Sequence, residues 1–206
     1  MSHKNNNFFI VLEGVDGSGK TSASKMLAEK TGAVFYQTPS GFWRKHRHRV
    51  ENAPVFFRFI FYLLATIHAS FEIYRRLKNK SVICDRYIHS TWAYHIVYGC
   101  NFLKYVPLYL LPIKKPDKVY HLMVSRTERE KRISNRKHNV QRDLDSDSLE
   151  TVHSNLVQLP NLIPVDTNGL SQEQVAHFIF KNLQEQSINA YIRFKPKFLQ
   201  ESLRIT

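Results

Sequence analysis

Cysteine is scarce in this chain. Only Cys84 and Cys100 occur among 206 residues, too few for a disulfide framework and at no metal-ligating spacing, so a reducing cytoplasm is the expected setting. Acidic residues are also few: 17 Asp and Glu face 30 Lys and Arg, a net charge of +13. Such a balance suits nucleic acid, or a small polyanion met by Arg and Lys, although a basic surface with no specific role gives the same count. No unbroken apolar run reaches the ~20 residues of a membrane span. The nearest candidate, PVFFRFIFYLLATIHASFEIY (54–74), is interrupted by Arg58, His68 and Glu72 and reads as a buried helix. The opening MSHKNNN has no apolar signal core, so secretion is not expected. Repeats and internal linkers are lacking too, and the length fits one domain, 1–206, with its own core.

What is present is an alternation of short apolar runs and helical patterns. FFIVLE (8–13), AVFYQT (33–38), KSVICDRY (80–87), DKVYHLMV (117–124) and NLIPVD (161–166) read as strands, the first of them buried on both faces. Between them SASKMLAEK, the aromatic stretch, HSTWAYHIVYG, TEREKRISNRK and SQEQVAHFIFKNLQ read as helices, the last opening on a Ser cap. The pattern predicts an α/β fold with a parallel sheet. FLKYVPLYLLP, broken by Pro107 and Pro112, and the tail of about 187–206 have no form legible from the sequence.

Glycine is concentrated rather than abundant. Gly14-Val15-Asp16-Gly17-Ser18-Gly19-Lys20-Thr21 fits G-x-x-x-x-G-K-[ST], with a buried strand before it and a helix after it. Glycines let backbone N–H groups face a phosphate without obstruction by Cβ, and the helix start adds its positive dipole end. Lys20 is expected to reach the terminal phosphates of a nucleoside triphosphate, and Thr21 to help hold Mg²⁺.

Two further constellations bear on the use of that triphosphate. The third strand delivers Asp85 and Arg86 at its carboxyl end, where open α/β sheets place ligands; the carboxylate suits Mg²⁺ and the guanidinium a second anion. A surface ion pair is the plain alternative for these two. Tyr87, Ser90, Tyr94 and His95 follow on one helical face, where they either contact a base or are simply core. Between about 126 and 145, Arg129, Arg132 and Arg136 share a helical face, with Arg142 just beyond. An arginine-bearing lid there would supply charge to a transferring phosphoryl group and exclude water, whereas a solvated helix with Glu–Arg pairs is the competing reading.

The stretches FIVLEGVDGSGKTS, VICDRYIHSTWAYH and KRISNRK…QRD resemble thymidylate kinases in order and spacing, over about Phe8 to Leu183. The resemblance implies a P-loop NTPase-type three-layer fold, with a central five-stranded parallel sheet flanked by helices. It implies transfer of the γ-phosphoryl of ATP to dTMP, giving dTDP and ADP, with Mg²⁺, in a homodimer packed through helices. Carried over, Asp16 meets the acceptor sugar hydroxyl, Asp85 and Thr21 are the metal residues, and Arg86 holds phosphate at the transfer centre. Ser90, Tyr94 and His95 line the base pocket, and the region 165–169 lies near adenine. Because the glycine turn carries Ser18 and no arginine, the resemblance assigns the catalytic arginine to the lid, as Arg132, Arg136 or Arg142.

Two departures fall on the acceptor side. Gln37 and Thr38 stand where the family has an Arg-Glu pair, and the middle helix offers only His68 where the family carries a phosphate-binding arginine; Arg44, Arg47 or Arg58 could substitute. A kinase for another nucleoside monophosphate, a deoxynucleoside kinase using Glu13 as base, and an inactive ATP-binding member are therefore alternatives. Basic WRKHRHR and YRRLKNK are the sole support for nucleic-acid binding, without helix-turn-helix, RNP or zinc spacing, and no Asn-Lys-x-Asp segment marks a GTP switch. The expected partners are small nucleotides, with neither nucleic acid nor membrane.

Overall fold

Strand β1 (Phe9–Glu13) is buried at all five positions, the condition of a central strand covered on both faces. The computed structural model describes the backbone of residues 7–135 and 144–193, with side chains at all of these except 109 and 186–193. β1 pairs in parallel with β3 (Val82–Asp85) on one side and β4 (Lys118–Met123) on the other. β2 (Val34–Gln37) extends the sheet beyond β3, and β5 (Leu162–Asp166) beyond β4. The order is β2-β3-β1-β4-β5, a five-stranded parallel sheet flanked by helices.

Alternation along β1 separates two cores. Phe9 and Val11 face a cluster with Ala69, Ile73, Val82, Cys84 and Tyr87, on the side of helix α3 (Val55–Leu77). Ile10 and Leu12 face Leu27, Tyr120, Leu122 and Ile179, on the side of α1 (Lys20–Thr31) and α7 (Gln172–Arg193). A short helix α2 (Gly41–His46) precedes α3, and α4 (Ile88–Val97) follows β3. The Pro-broken segment forms two 3-10 turns, Asn101–Tyr105 and Leu108–Leu110.

The elements read from the sequence are present, with trimmed ends. The third strand stops at Asp85 rather than Tyr87 because Arg86 takes a left-handed conformation, φ 67°, which ends the ladder. The charged helix is α5 (Arg126–Ser134), capped by Ser125 Oγ accepting from Glu128 N. Helix α6 (Ser146–Val157) was not anticipated. Its signals were there: Asp145 caps it through Ser148 N at 2.7 Å, and Leu149, Val152 and Leu156 are buried at helical spacing. The first part of the tail continues α7 to Arg193; the rest lies outside the described residues.

Among the described residues α3 is the one helix long and apolar enough to cross a membrane by length and composition. Its other character is amphipathic, since Phe59, Ala65, Ala69 and Ile73 are buried in the domain. The opposite face shows Phe57, Leu64 and Phe71 at 63%, 47% and 72% exposure, seven residues apart on one stripe. Ile73→Ala is expected to destabilise the domain by about 2–5 kcal/mol in urea unfolding, the range for deleting a buried branched side chain. An unchanged midpoint would mean that α3 is not part of the core.

Candidate active site

The glycine turn lies between β1 and α1 and closes against β4 and α5. Gly14 has φ +147°, and a Cβ there would come within 2.5 Å of Leu122 O. At Gly17, φ +88°, a Cβ would meet Arg129 Cγ at 2.7 Å. Both positions are closed to side chains by backbone and by a packed arginine stem. Lys20 is buried and donates to Val15 O at 2.6 Å and to Ser18 Oγ at 3.3 Å, so the ammonium folds back over the turn. Burial, then repulsion from Arg86, brings its pKa down to about 8.

At the end of β3, Asp85 Oδ2 accepts from Thr21 Oγ1 at 2.5 Å and from Gln37 Nε2 at 2.9 Å. Asp85 Oδ1 is buried with no hydrogen-bond partner. A carboxylate oxygen left open beside a hydroxyl is a hard-oxygen pair suited to Mg²⁺, which takes few protein ligands and keeps its waters. Gln37, one of the two acceptor-side departures, thus acts as a clamp on Asp85.

Arg86 is held from several directions. Its N donates to Leu12 O at 3.0 Å, and its carbonyl accepts from Thr38 Oγ1 at 2.8 Å, which together fix the left-handed turn. That conformation costs a non-glycine residue about 1–3 kcal/mol and aims the guanidinium across the sheet end. There it pairs with Asp16 and donates to Ser90 Oγ at 3.1 Å and Tyr94 Oη at 3.4 Å. Below it, Glu13 is fully buried and accepts from Tyr87 N at 2.8 Å and Ser90 Oγ at 2.5 Å. Burial alone would push the Glu13 carboxyl up; His89, the Ser90 hydroxyl and Arg86 hold it below the usual value.

One cavity of about 260 Å³ runs from the glycine turn to α3 and α4. Asp16, Gly17, Gly19, Lys20 and Thr21 line its donor end, and Arg86, Ser90 and Tyr94 its middle. Arg44, Arg47 and Arg58, the proposed replacements for the absent family arginine, all line the far end. Arg58 Cζ lies over the Tyr98 ring, 4.0 Å from its centre, and its Nε is buried without a hydrogen-bond partner. His68 is not among the lining residues.

The structure departs from the sequence reading at two places. His95 does not line the cavity: its Nδ1 meets Thr91 O at 2.7 Å, and its ring packs against Phe59 and Tyr62. Burial, with a further contribution from Arg58, brings its pKa down to about 4, so it packs as a neutral ring. Nor do the arginines of the charged helix share one role. Arg129 is buried, pairs with Glu150 at 2.6 Å, and joins α5 to α6 behind the glycine turn. Arg132 donates to Glu128 Oε1 at 2.9 Å and to Thr167 O at 2.6 Å, tying α5 to the loop after β5. It therefore faces the 165–169 loop rather than the transfer cavity. Arg136 and Arg142 lie outside the described residues.

A glycine turn and an arginine-lined second half in one cavity, with a metal-suited carboxylate bonded to Thr21 and Gln37 in its wall, are the parts of a phosphotransferase. The thymidylate kinase family model matches residues 12–179. The chain belongs to the thymidylate kinase family. A probable thymidylate kinase of Methanocaldococcus jannaschii is 32% identical over 191 residues, spanning 86% of this chain and 96% of that protein. The thymidylate kinase of Mycoplasmopsis agalactiae is 28% identical over 205 residues, spanning 84% and 95%. Among solved structures, the thymidylate kinase of Candida albicans superposes with a TM-score of 0.74 at 19% identity, covering 88% of this chain and 92% of that one. A deoxyadenosine kinase of M. mycoides gives 0.65 at 19% identity, covering 86% and 99%. At such identity the structural likeness speaks for the fold alone.

The lowered pKa of Lys20 sets a pH dependence. A bound triphosphate would favour the ammonium, so above about pH 8 binding must draw a proton onto Lys20. Calorimetric titration with a non-hydrolysable ATP analogue is expected to show constant affinity from this group below pH 8 and a fall of up to about tenfold per pH unit above it. Lys20→Met should bind weakly and lose that slope; a slope retained in the variant would assign it to another group.

Proposed function

We propose that the chain transfers the γ-phosphoryl of ATP to dTMP, giving dTDP and ADP. The observation that carries the reading is the continuity of the cavity from Lys20 to Arg86 and on to Arg44, Arg47 and Arg58. Two phosphate groups brought into it lie on either side of Arg86, the geometry in-line transfer requires. The glycine turn and Lys20 bind the donor tail. Asp85 and Thr21 would hold Mg²⁺, which neutralises phosphate charge as it spreads over the transferring group.

Arg86 stabilises the transferring phosphoryl, and Asp16 holds that guanidinium while offering its carboxylate to the acceptor sugar. Ser90 and Tyr94 position the acceptor beside it. A phosphate monoester is ionised at neutral pH and needs no base. Glu13, the carboxylate that a nucleoside kinase would call on, is instead spent on the corner after β3. Arg132 serves the donor side by fixing the loop near adenine, so Arg136 and Arg142 take the lid role of meeting transferring charge.

Arg44 and Arg47 lie on the segment between β2 and α3 and take the acceptor phosphate. Arg58, stacked on Tyr98 with a donor to spare, faces the base end. The molecule works in the cytoplasm as a homodimer, without nucleic acid or membrane, and the exposed Phe57–Leu64–Phe71 stripe of α3 is the natural place for the second copy to pack.

Two measurements test these assignments. With ATP, dTMP is expected to be the best acceptor in a screen across nucleoside monophosphates and thymidine. Arg58→Met should raise the KM for dTMP about tenfold with little change in kcat, because its contact is made before and during transfer alike. Thymidine used as well as dTMP would restore the nucleoside kinase reading, and ATP binding without any acceptor would mark an inactive member. For the dimer, Phe71→Glu should convert the species seen by analytical ultracentrifugation to monomer; a monomeric parent chain would remove the assignment.

A further inference from the structure

A second cavity lies behind the active site, on the other side of Glu13. It measures about 490 Å³, within the size range of small-molecule sites, and is walled by Trp92, Leu108, Ile113, Val119 and Leu159. Three lysines, Lys104, Lys115 and Lys118, line it, against one acid, Asp117. That acid is already engaged: Asp117 Oδ2 accepts from Phe9 N at 2.6 Å. Lys115 caps Leu108 O at 3.4 Å and Leu111 O at 2.8 Å, which uses two of the three ammonium donors.

His89 connects the second cavity to Glu13. Its Nδ1 is turned inward, 3.4 Å from Glu13 Oε1, a close approach without hydrogen-bond geometry. The ring also lines the second cavity, which leaves Nε2 as the nitrogen for that side. An apolar chamber with three lysines in its lining and an imidazole nitrogen on its inner wall is complementary to an anion carrying an apolar body.

We propose that this cavity is a regulatory site for a small amphiphilic anion. The acid group meets His89 Nε2 and the lysines, and the apolar part fills the space between Trp92 and Leu159. The signal path is short: Glu13 touches His89 and accepts from Ser90 Oγ, and the same hydroxyl accepts from Arg86. An anion that draws His89 away from Glu13 leaves that carboxylate to Ser90 and Arg86. Arg86 is then held back from the transferring phosphate, and turnover falls. This coupling rests on the kinase reading above; the binding does not.

Trp92 lines the cavity, and the chain's other tryptophan is Trp43, so Trp43→Phe makes Trp92 the reporter. Decanoate, below its micelle concentration, is expected to change Trp92 fluorescence saturably and to bind at least tenfold more tightly than 1-decanol. His89→Asn should erase that preference. Val106→Glu, which puts like charge on the cavity wall, should abolish binding while leaving turnover without decanoate unchanged. Decanoate should lower kcat in the parent chain and not in Val106→Glu. Equal binding of acid and alcohol, parent-like binding by both variants, or no saturable response would overturn the site. Saturable binding with unchanged turnover would overturn the regulatory assignment. If no nucleotide is phosphorylated at all, the kinase reading fails, and the Trp92 titration alone still decides the site.

Discussion

The buried carboxylate of Glu13 is the interaction on which the active site depends. It ends the central strand, fully enclosed, and ties the backbone and hydroxyl of the following corner, at Tyr87 and Ser90, to β1. A buried charge without partners costs several kcal/mol, so the corner cannot leave it without losing about that much. The same corner carries Arg86 in a left-handed conformation that arginine does not choose by itself. Glu13 and the hydrogen bonds from β1 and Thr38 together offset that strain and hold the guanidinium over the sheet end.

From this anchor the electrostatics of the cavity follow. Lys20 and Arg86 repel one another in a partly dry space, and each is relieved locally: Lys20 by the Val15 carbonyl, Arg86 by Asp16. Such partners are weak beside a phosphate dianion, so ligands exchange places with them at little cost. Asp85 Oδ1, behind Thr21 and Gln37, and Arg58 Nε, on α3, are both buried without a hydrogen-bond partner. Helix α5 stands apart from this, since Arg129 and Arg132 are both committed to packing α5 onto α6 and onto the loop after β5.

The sequence by itself determined the α/β architecture. Short apolar runs set between helical patterns and bounded by turn signals are the mark of a parallel sheet, and the glycine turn sits where the central strand meets a helix. It placed the glycine turn, Asp85 and Arg86 at the strand ends for the same reason: local spacing and strand position dictate them. Helix α6 was equally legible, through the Asp145 cap and the buried Leu149–Val152–Leu156 row, and was missed because its polar surroundings resemble a loop.

Only the tertiary structure decided which side chains share the cavity. Arg44, Arg47 and Arg58 come from α2, the turn after it, and α3, and nothing in their spacing reveals that they converge. His95 stands one residue from Tyr94 on α4, yet the turn of the helix carries it into an aromatic core with Phe59 and Tyr62. Arg129 and Arg132 were indistinguishable on a charged helix until α6 and the β5 loop claimed one each. Periodicity fixes the face a residue occupies along its own helix; what lies opposite that face is set by contacts far apart in the chain.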